Sequence, residues 1–417
     1  MRTALKYFCV ALLALPLAAG TVPAAKPEDV GLSSERLQRI NQTVQRYIDD
    51  HQVSGAVTLV ARKGRLAHFA AQGLMDIESK KPMVKDAIFR LASSSKPIAA
   101  LAIMMLVEEG KVRLTDPVSR FIPEFKDAKV AVAKPSAPAP GPPGQPPPAP
   151  EYYVVPADRD ITIKDLLTHT SGLASGGITR SEAGKVYGGR KPTDRLADAI
   201  PRLGPLPLDF QPGTKWQYSA GAGFDVLGRV VEVASDLPFD QFLRQRVFEP
   251  LGMKDIFFGV PADRASRLPT LYRRTAQGLE RSENQRGMSN DVYFSGAGGL
   301  ASTAEDYLQY AQMLANGGQL NGKRLLSPRT VELMFSNHVG DLFGRGGQGF
   351  GLGGSVVLDS VKGTGPRPNG SYGWDGAFGT HWWVDPKDKL IAILWIQRPT
   401  PGMARDFDNA VVQAVTD

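Results

Sequence analysis

The chain of 417 residues is 42% hydrophobic and 22% charged, and it carries a formal net charge of +7. This composition is that of a globular protein, and it excludes collagen, a wholly disordered chain and a membrane protein with several spans. Five histidines and one cysteine exclude a cysteine-based zinc module and a disulfide framework. Basic residues are spread along the chain without a dense run, which argues against nucleic acid as a partner.

The first 25 residues have the pattern of an export signal. Arg2 and Lys6 form a short positive region, and the apolar segment 7–19 is too short to span a bilayer. Small residues suitable for cleavage follow between positions 18 and 25. We therefore predict a signal peptide at 1–25 and a mature domain at 26–417 that is periplasmic or secreted, without stable membrane insertion.

Helices and a hairpin come first in the mature chain. Apolar residues at helical spacing predict a helix over 34–51, and two β-rich runs at 55–60 and 66–71 predict a hairpin. A strongly apolar helix is predicted over 98–109. Residues 134–150 include nine prolines, which predicts an extended surface insertion rather than a domain boundary.

The middle of the chain is predicted to be mostly helical, and strands return at its end. Further helices are predicted at 224–234, 238–248, 302–316 and 404–415, and strands at 349–357, 379–384 and 390–397. This order predicts an α/β (α+β) fold with an antiparallel sheet flanked by helices. The sheet is built from both chain ends, about 26–110 and 290–417, and a mostly helical region, about 111–289, is inserted between them.

The chemistry begins at Ser93 and Lys96, which are three residues apart in front of the apolar helix. If Ser93 stands at the helix start, both side chains lie on one face, one turn apart. A serine hydroxyl becomes a nucleophile when a base takes its proton, and a lysine amine is such a base only when it is neutral. On this pair alone, an ordinary helix cap at Ser93 and a surface charge at Lys96 are an equal alternative.

Two further segments offer polar groups to the same reaction. Tyr218 lies at a loop-to-helix junction, where its phenol could reach Ser93 and Lys96 and act as base or acid. Packing of this ring over a helix start is the plain alternative. In segment 372–380, the backbone N–H of Ala377 could complete an oxyanion hole with that of Ser93. A tight hairpin with an aromatic surface patch is the alternative there.

Other chemistries have less support in the sequence. The chain contains no Gly-x-Ser-x-Gly motif, no histidine pair at metal-ligand spacing and no phosphate-binding loop. No metal or organic cofactor is implied. A Ser-His-Asp triad that uses His169 or His381 stays open, although no local pattern supports it.

Taken together, the motifs resemble those of the serine β-lactamase and penicillin-binding-protein superfamily. Three motifs occur in the order used there: Ser93-Ser94-Ser95-Lys96, Tyr218-Ser219 and Trp374-Asp375-Gly376. Segments 166–173, 248–253 and 298–303 resemble connecting motifs of its class C-like branch. Within this branch the chain is most similar to the family VIII carboxylesterases. The resemblance covers roughly residues 28 to 415 and implies a β-lactamase/transpeptidase-like fold.

Two departures from the β-lactamase pattern bear on the substrate. The third position of the tyrosine motif is Ala220, where those β-lactamases have an amide-binding asparagine. The third motif opens with Trp374, where they have the lysine or histidine that helps to hold the substrate carboxylate. An indole has no charge, so affinity for anionic β-lactams should fall and neutral acyl esters should be better tolerated. The resemblance therefore implies an esterase more than a β-lactamase.

The resemblance also implies a mechanism through an acyl-enzyme. The implied roles are Ser93 as nucleophile, Lys96 and Tyr218 as the shared base, Ser93 and Ala377 as oxyanion-hole donors, and Trp374, Gly376 and Phe378 as substrate-binding residues. A small-molecule ester or amide is the expected partner, and the sequence does not define the oligomeric state. Two alternatives remain: a β-lactamase, D-aminopeptidase or other cell-wall peptidase, and a catalytically idle peptidoglycan-binding protein.

Overall fold

The computed structural model describes residues 22–135, 150–283, 285, 292–363, 365–400 and 402–417. Most of the predicted signal peptide, residues 1–21, and residues 136–149 of the Pro-rich insertion lie outside these ranges. On either side of the insertion, strands β5 (Lys129–Ala133) and β6 (Tyr152–Pro156) pair in antiparallel fashion. The insertion therefore connects two paired strands of one local hairpin.

An antiparallel sheet of eight strands forms the centre of the molecule. From edge to edge its strands are β13 (Gln348–Phe350), β14 (Ser355–Val357), β15 (Tyr372–Asp375), β16 (His381–Asp385), β17 (Leu390–Trp395), β1 (Gly55–Arg62), β2 (Arg65–Asp76) and β3 (Lys81–Pro82). The pairing of β1 with β17, in which Val57 lies opposite Trp395, joins the two ends of the chain. The prediction of a sheet built from both ends is thus confirmed.

Helices cover both faces of this sheet. One face packs against α1 (Ser34–Asp49) and α12 (Met403–Gln413), and the other against α2 (Lys96–Glu108) and α9 (Ala304–Ala315). Successive side chains of a strand point to opposite faces, so the neighbours Trp382 and Trp383 fill the two different cores. Because both faces are covered, all eight residues of β1 are buried.

The region between α2 and α9 is mostly helical but also contains short strands. Its helices are α3 (Ile163–Leu167), α4 (Arg180–Gly188), α5 (Leu196–Ala199), α6 (Ala222–Ser235), α7 (Phe239–Leu243) and α8 (Glu249–Leu251). Its short strands, besides β5 and β6, are β7 (Ile256–Phe257), β8 (Tyr272–Thr275), β9 (Gly278–Arg281) and β10 (Ala301–Ser302). Outside this region, β4 (Phe89–Arg90) precedes α2, and β11 (Gln319–Leu320), β12 (Lys323–Arg324), α10 (Pro328–Met334) and α11 (Ser360–Gly363) follow α9. Over the described ranges, every helix is too short or too polar to cross a lipid bilayer.

One predicted strand is wrong in its extent. The segment 349–357 forms two paired strands, β13 and β14, rather than one. Between them Gly353 has a φ of +89°, and a Cβ at this position would lie 2.6 Å from the Cβ of Ala100 on α2. A glycine is needed here because the turn passes directly against the helix that carries Lys96.

The N-terminal end of the described chain lies along β2. Val22 is buried, the N–H of Leu66 donates to Pro23 O at 2.9 Å, and the N–H of Ala25 donates to Leu66 O at 3.0 Å. The last four residues of the predicted signal peptide therefore pack as part of the folded domain.

Candidate active site

Ser93 stands at the entrance of helix α2. It lies in a 3₁₀ turn, Ala92–Ser95, which continues directly into the helix, and its side chain is partly exposed. The preceding Ala92 has a φ of +44°, a conformation that non-glycine residues seldom adopt. Such strain persists only where the surroundings enforce it, and it is common beside reacting groups. The turn thus presents the Ser93 hydroxyl at the surface of an otherwise buried helix end.

Lys96 is fully buried beneath Ser93. Its Nζ lies 3.1 Å from Ser93 Oγ, 2.8 Å from Ala220 O and 2.7 Å from Ala297 O. Burial lowers the pKa of Lys96 below its ordinary value, although the neighbouring Tyr218 and Asp225 act in the opposite direction. The amine is therefore closer to its neutral form than a surface lysine would be.

Tyr218 completes the contacts of the Ser93 hydroxyl. Its phenol oxygen lies 2.7 Å from Ser93 Oγ, and the Lys96 Nζ lies 5.1 Å from the centre of its ring. The tyrosine is in the loop just before α6, and its ring packs on that of His169 with a centroid distance of 4.6 Å. Of the three side chains that the sequence proposed for the reaction, the Ser93 hydroxyl thus lies within hydrogen-bond reach of both Lys96 and Tyr218.

His169 is a buried support for Tyr218. Its Nδ1 accepts a hydrogen bond of 3.2 Å from the Ser219 N–H, so its proton resides on Nε2. Burial, and then the charge of Lys96, lower the pKa of His169 well below its usual value. His169 is therefore neutral. It holds the tyrosine loop by ring packing, by the contact of its Nδ1 with the Ser219 N–H, and by its carbonyl, which accepts from the Gln217 N–H at 3.0 Å.

The third motif lies on β15 and in the turn that follows it. Trp374 Nε1 donates to Tyr218 OH at 3.4 Å, which brings the motif next to the Ser93–Tyr218 contact. In the turn, the Gly376 N–H donates to Thr380 O at 2.7 Å, whereas the Ala377 N–H has no acceptor within the described parts of the chain. The Thr380 hydroxyl donates to Leu91 O at 3.0 Å and fixes the turn against the strand that leads to Ser93.

An aromatic surface borders Tyr218. Trp374 packs edge-on against Phe350 at 5.1 Å, and Trp216 packs against Phe343 at 4.7 Å and near Tyr218 at 6.4 Å, all between ring centres. Trp216 and Trp374 are partly exposed, so their faces are open to a substrate. The ring faces are apolar. The Trp216 Nε1 is buried, the Trp374 Nε1 donates to Tyr218, and the Arg345 guanidinium lies 5.0 Å from the centre of the Phe343 ring.

The predicted substrate residue Phe378 lies in the turn that follows β15. It is partly exposed in the turn after β15 and makes no aromatic ring contact within the portion of the chain that is described. Gly376 is buried, and a Cβ added at this position would lie 2.2 Å from Leu91 O. The structure therefore places Gly376 as a close contact between the turn and the Ser93 segment, rather than as an open binding surface.

The alternative triad is not present. Both ring nitrogens of His381 face carboxylates, since Nδ1 lies 2.6 Å from Asp375 Oδ1 and Nε2 lies 2.8 Å from Asp408 Oδ1. Burial opposes the charge of His381, but the two carboxylates outweigh it and raise its pKa to about 10. Within the described ranges Ser93 Oγ hydrogen-bonds to Lys96 and Tyr218, and neither histidine contacts it.

Several groups of the site were not predicted from the sequence. The carbonyls of Ala220 and Ala297 hold Lys96, and backbone groups of this kind have no residue-type signature. The aromatic residues Trp216 and Phe350 were also missed, although their clustering in apolar, glycine-rich segments was a possible signal. Across the described residues, no group of three or more histidine, cysteine or acidic side chains could hold a metal ion.

Comparisons with known proteins agree with this geometry. A family model described as Beta-lactamase matches residues 40–417. Protein Rv1367c of Mycobacterium tuberculosis is 38% identical over 384 residues, which cover 88% of this chain and 92% of that protein. Esterase EstB of Burkholderia gladioli is 32% identical over 407 residues, with coverages of 90% and 94%. The solved structure of EstCE1, a hydrolase with promiscuous acyltransferase activity, superposes with a TM-score of 0.75 at 29% identity and coverages of 91% and 99%.

Proposed function

The chain belongs to the beta-lactamase family, and we propose that it is a serine carboxylesterase that acts on small esters of neutral acids through a covalent acyl-enzyme. One observation carries the proposal: Ser93 Oγ lies 3.1 Å from a buried amine and 2.7 Å from a phenol, beside an indole instead of a cation. Its 32% identity to Esterase EstB over most of both chains supports an ester substrate.

The contacts of Lys96 suit a proton acceptor. A neutral amine has two N–H groups and one lone pair. The carbonyls of Ala220 and Ala297 take the two N–H groups, and the remaining tetrahedral position faces Ser93 Oγ. The lone pair is thus directed at the hydroxyl that must lose its proton when Ser93 attacks the ester carbonyl.

Tyr218 offers a path from the same oxygen toward the leaving group. Its hydroxyl contacts Ser93 Oγ and accepts from the Trp374 indole, so it can pass a proton to the departing alkoxide. The negative oxygen of the tetrahedral intermediate would be held by the N–H groups of Ser93 and Ala377. In the second half-reaction, the same base pair would activate a water molecule that hydrolyses the acyl-Ser93 ester.

The replacement of a cation by Trp374 favours a neutral substrate. Desolvating an anionic substrate without a partner is costly, whereas the faces of Trp216 and Trp374 gain from contact with apolar acyl or alcohol groups. The absence of an amide side chain at Ala220 removes a group that would orient an amide substrate. Both differences lower the expected activity on β-lactams relative to esters.

Covalent labelling and two chromogenic substrates test the proposal. Wild-type protein is expected to bind one fluorophosphonate probe per chain and to hydrolyse p-nitrophenyl butyrate much faster than nitrocefin. Ser93→Ala should abolish labelling and hydrolysis, because it removes the hydroxyl that contacts Lys96. Labelling that persists in this variant would exclude Ser93, preferential nitrocefin hydrolysis would favour the β-lactamase, and an unlabelled wild type would favour a binding protein.

We also propose that the protein is exported, on the support of the N-terminal pattern. Since residues 22–25 pack along β2, cleavage is expected before Val22 rather than at the end of the predicted range. Expression in a bacterial host, followed by fractionation and intact-mass measurement, should yield a shortened chain in the periplasmic fraction. A full-length chain in the cytosolic fraction would contradict this proposal.

A further inference from the structure

Behind Lys96 lies a buried carboxylate that the mechanism above does not use. Asp225, in the first turn of α6, is only 2% exposed. Its Oδ1 accepts from Ser295 Oγ at 2.6 Å and from the Ala297 N–H at 3.1 Å. Its Oδ2 accepts from the hydroxyl of Tyr293 at 2.8 Å and faces that of Tyr187 at 3.3 Å. A backbone N–H can only donate and the hydroxyls are able to, so the arrangement suits an ionised carboxylate.

This carboxylate is connected to Lys96 through a single residue. Ala297 gives its N–H to Asp225 and its carbonyl to Lys96 Nζ, the latter at 2.7 Å. In the described parts of the chain, Lys96 has no carboxylate within ion-pair distance. Asp225 is the acid whose charge acts on the amine.

We propose that Asp225 is a positioning residue for Lys96. It fixes the Ala297 carbonyl that orients the amine, and it supplies the negative charge that balances the amine whenever Lys96 is protonated. The inference rests on the proposed acyl-enzyme function and deepens it, because it names the group that sets the proton affinity of the base.

The groups around Asp225 and Lys96 determine in which direction the pKa of Lys96 moves when Asp225 loses its charge. Burial raises the pKa of Asp225, and the groups that donate to it oppose this rise. The titratable and charged groups that face the pair are Tyr187 and Arg190 at the end of α4, Tyr293 in the loop before β10, Tyr218 before α6 and His169 after α3. Removing the charge of Asp225 makes the protonated amine less favourable, so Lys96 should lose its proton at lower pH.

The experiment measures the rate of fluorophosphonate labelling of Ser93 against pH. In Asp225→Asn, the acid limb of the profile should move to lower pH by about one unit. The plateau rate should fall because the amide nitrogen cannot accept from the Tyr293 and Tyr187 hydroxyls that face Oδ2 of the carboxylate. Asp225→Glu keeps the charge and should lower the rate without moving the limb. Asp165→Asn is the matched control, since it removes another buried carboxylate, one that pairs with Arg159 away from Lys96, and should leave the limb in place.

The outcomes separate this inference from the proposed function. A wild-type protein that the probe does not label would refute the proposed function itself. A labelled wild type, together with an Asp225→Asn profile that coincides with it or moves to higher pH, would overturn the role of Asp225 alone. If the asparagine variant does not fold, Asp225→Ser removes the same charge with a shorter side chain and is expected to give the same shift.

Discussion

The indole N–H of Trp374 donates to the hydroxyl of Tyr218 at 3.4 Å, so the residue proposed to replace a substrate-binding cation also contacts the group proposed to transfer protons. In addition, the Trp374 ring packs against Phe350 and beside the Tyr218 ring. Position 374 therefore influences both substrate choice and the proton path. Different substitutions at position 374 should therefore change substrate preference and the rate of ester hydrolysis to different extents.

Trp374→Lys should shift activity from esters toward β-lactams. A lysine can pair with a substrate carboxylate, and a charge-assisted contact contributes about 1.5–3 kcal/mol, so nitrocefin turnover should rise roughly tenfold or more. Ester hydrolysis should fall about fivefold, because the indole contact to Tyr218 is lost. Trp374→Phe is the control: it loses the same contact without gaining a charge, and it should lower ester turnover only. Equal nitrocefin turnover by the two variants would show that residue 374 does not set the preference between esters and β-lactams.

Tyr218→Phe should reduce hydrolysis while preserving the fold. The substitution removes only the hydroxyl that lies 2.7 Å from Ser93 Oγ, and the ring can still pack on His169. Because general acid–base groups contribute about 10²–10⁴-fold, kcat on p-nitrophenyl butyrate should fall in this range with little change in KM. A thermal melt checks that the variant is folded. Retention of more than a tenth of the wild-type kcat would exclude Tyr218 from proton transfer.

Much of the site was predictable because spacing and chain order determine it. Ser93 and Lys96 are three residues apart in front of an apolar helix, and this spacing places them on one face in the structure. The alternation of apolar runs likewise predicted the β1–β2 hairpin and the return of strands at the chain end. These features depend on residue type and on the local spacing of apolar residues, and both can be read from a single sequence.

Other features depend on contacts between distant segments and left no local signal. The two carbonyls that hold Lys96 come from positions 124 and 201 residues away in sequence, and any residue has such a carbonyl. Asp225 is one acid among many in the sequence, and its proposed role follows from the approach of Tyr293, Ser295 and Ala297. The segment 349–357 forms two paired strands rather than the single predicted strand, because glycines within an apolar run form a turn that the apolar pattern alone does not reveal.

Gly376→Ala should disrupt the turn after β15 that carries the Ala377 N–H, the proposed oxyanion donor. A Cβ at this position would lie 2.2 Å from Leu91 O and 2.1 Å from Thr380 Oγ1, so the turn must move away from the Ser93 segment. The Ala377 N–H would move with it, and loss of one oxyanion donor costs about 10²–10³ in kcat. Gly184→Ala is the control, since this helical glycine has nothing within 4 Å of an added Cβ and should keep wild-type activity. An active Gly376→Ala variant would show that the turn does not hold the oxyanion.

His381 should make the stability of the fold depend on pH in the alkaline range. Its imidazolium joins Asp375 on β15 to Asp408 on α12, and its pKa is raised from 6.5 to about 10. A group whose pKa is higher in the folded state stabilises the fold fully below the unfolded value and loses this contribution as pH rises through the folded value. The contribution should therefore be complete below about pH 6.5 and lost as pH rises through about 10.

The variant His381→Gln separates this contribution from the general effect of alkali. Urea denaturation at about pH 6 should show the variant less stable than the wild type by roughly 3 kcal/mol, because a buried carboxylate loses its charged partner. At about pH 10.5 the two free energies of unfolding should converge, since the wild-type imidazole is then neutral as well. A difference that stays constant between these pH values would show that His381 stabilises the fold by packing and neutral hydrogen bonds, and that it carries no charge between Asp375 and Asp408.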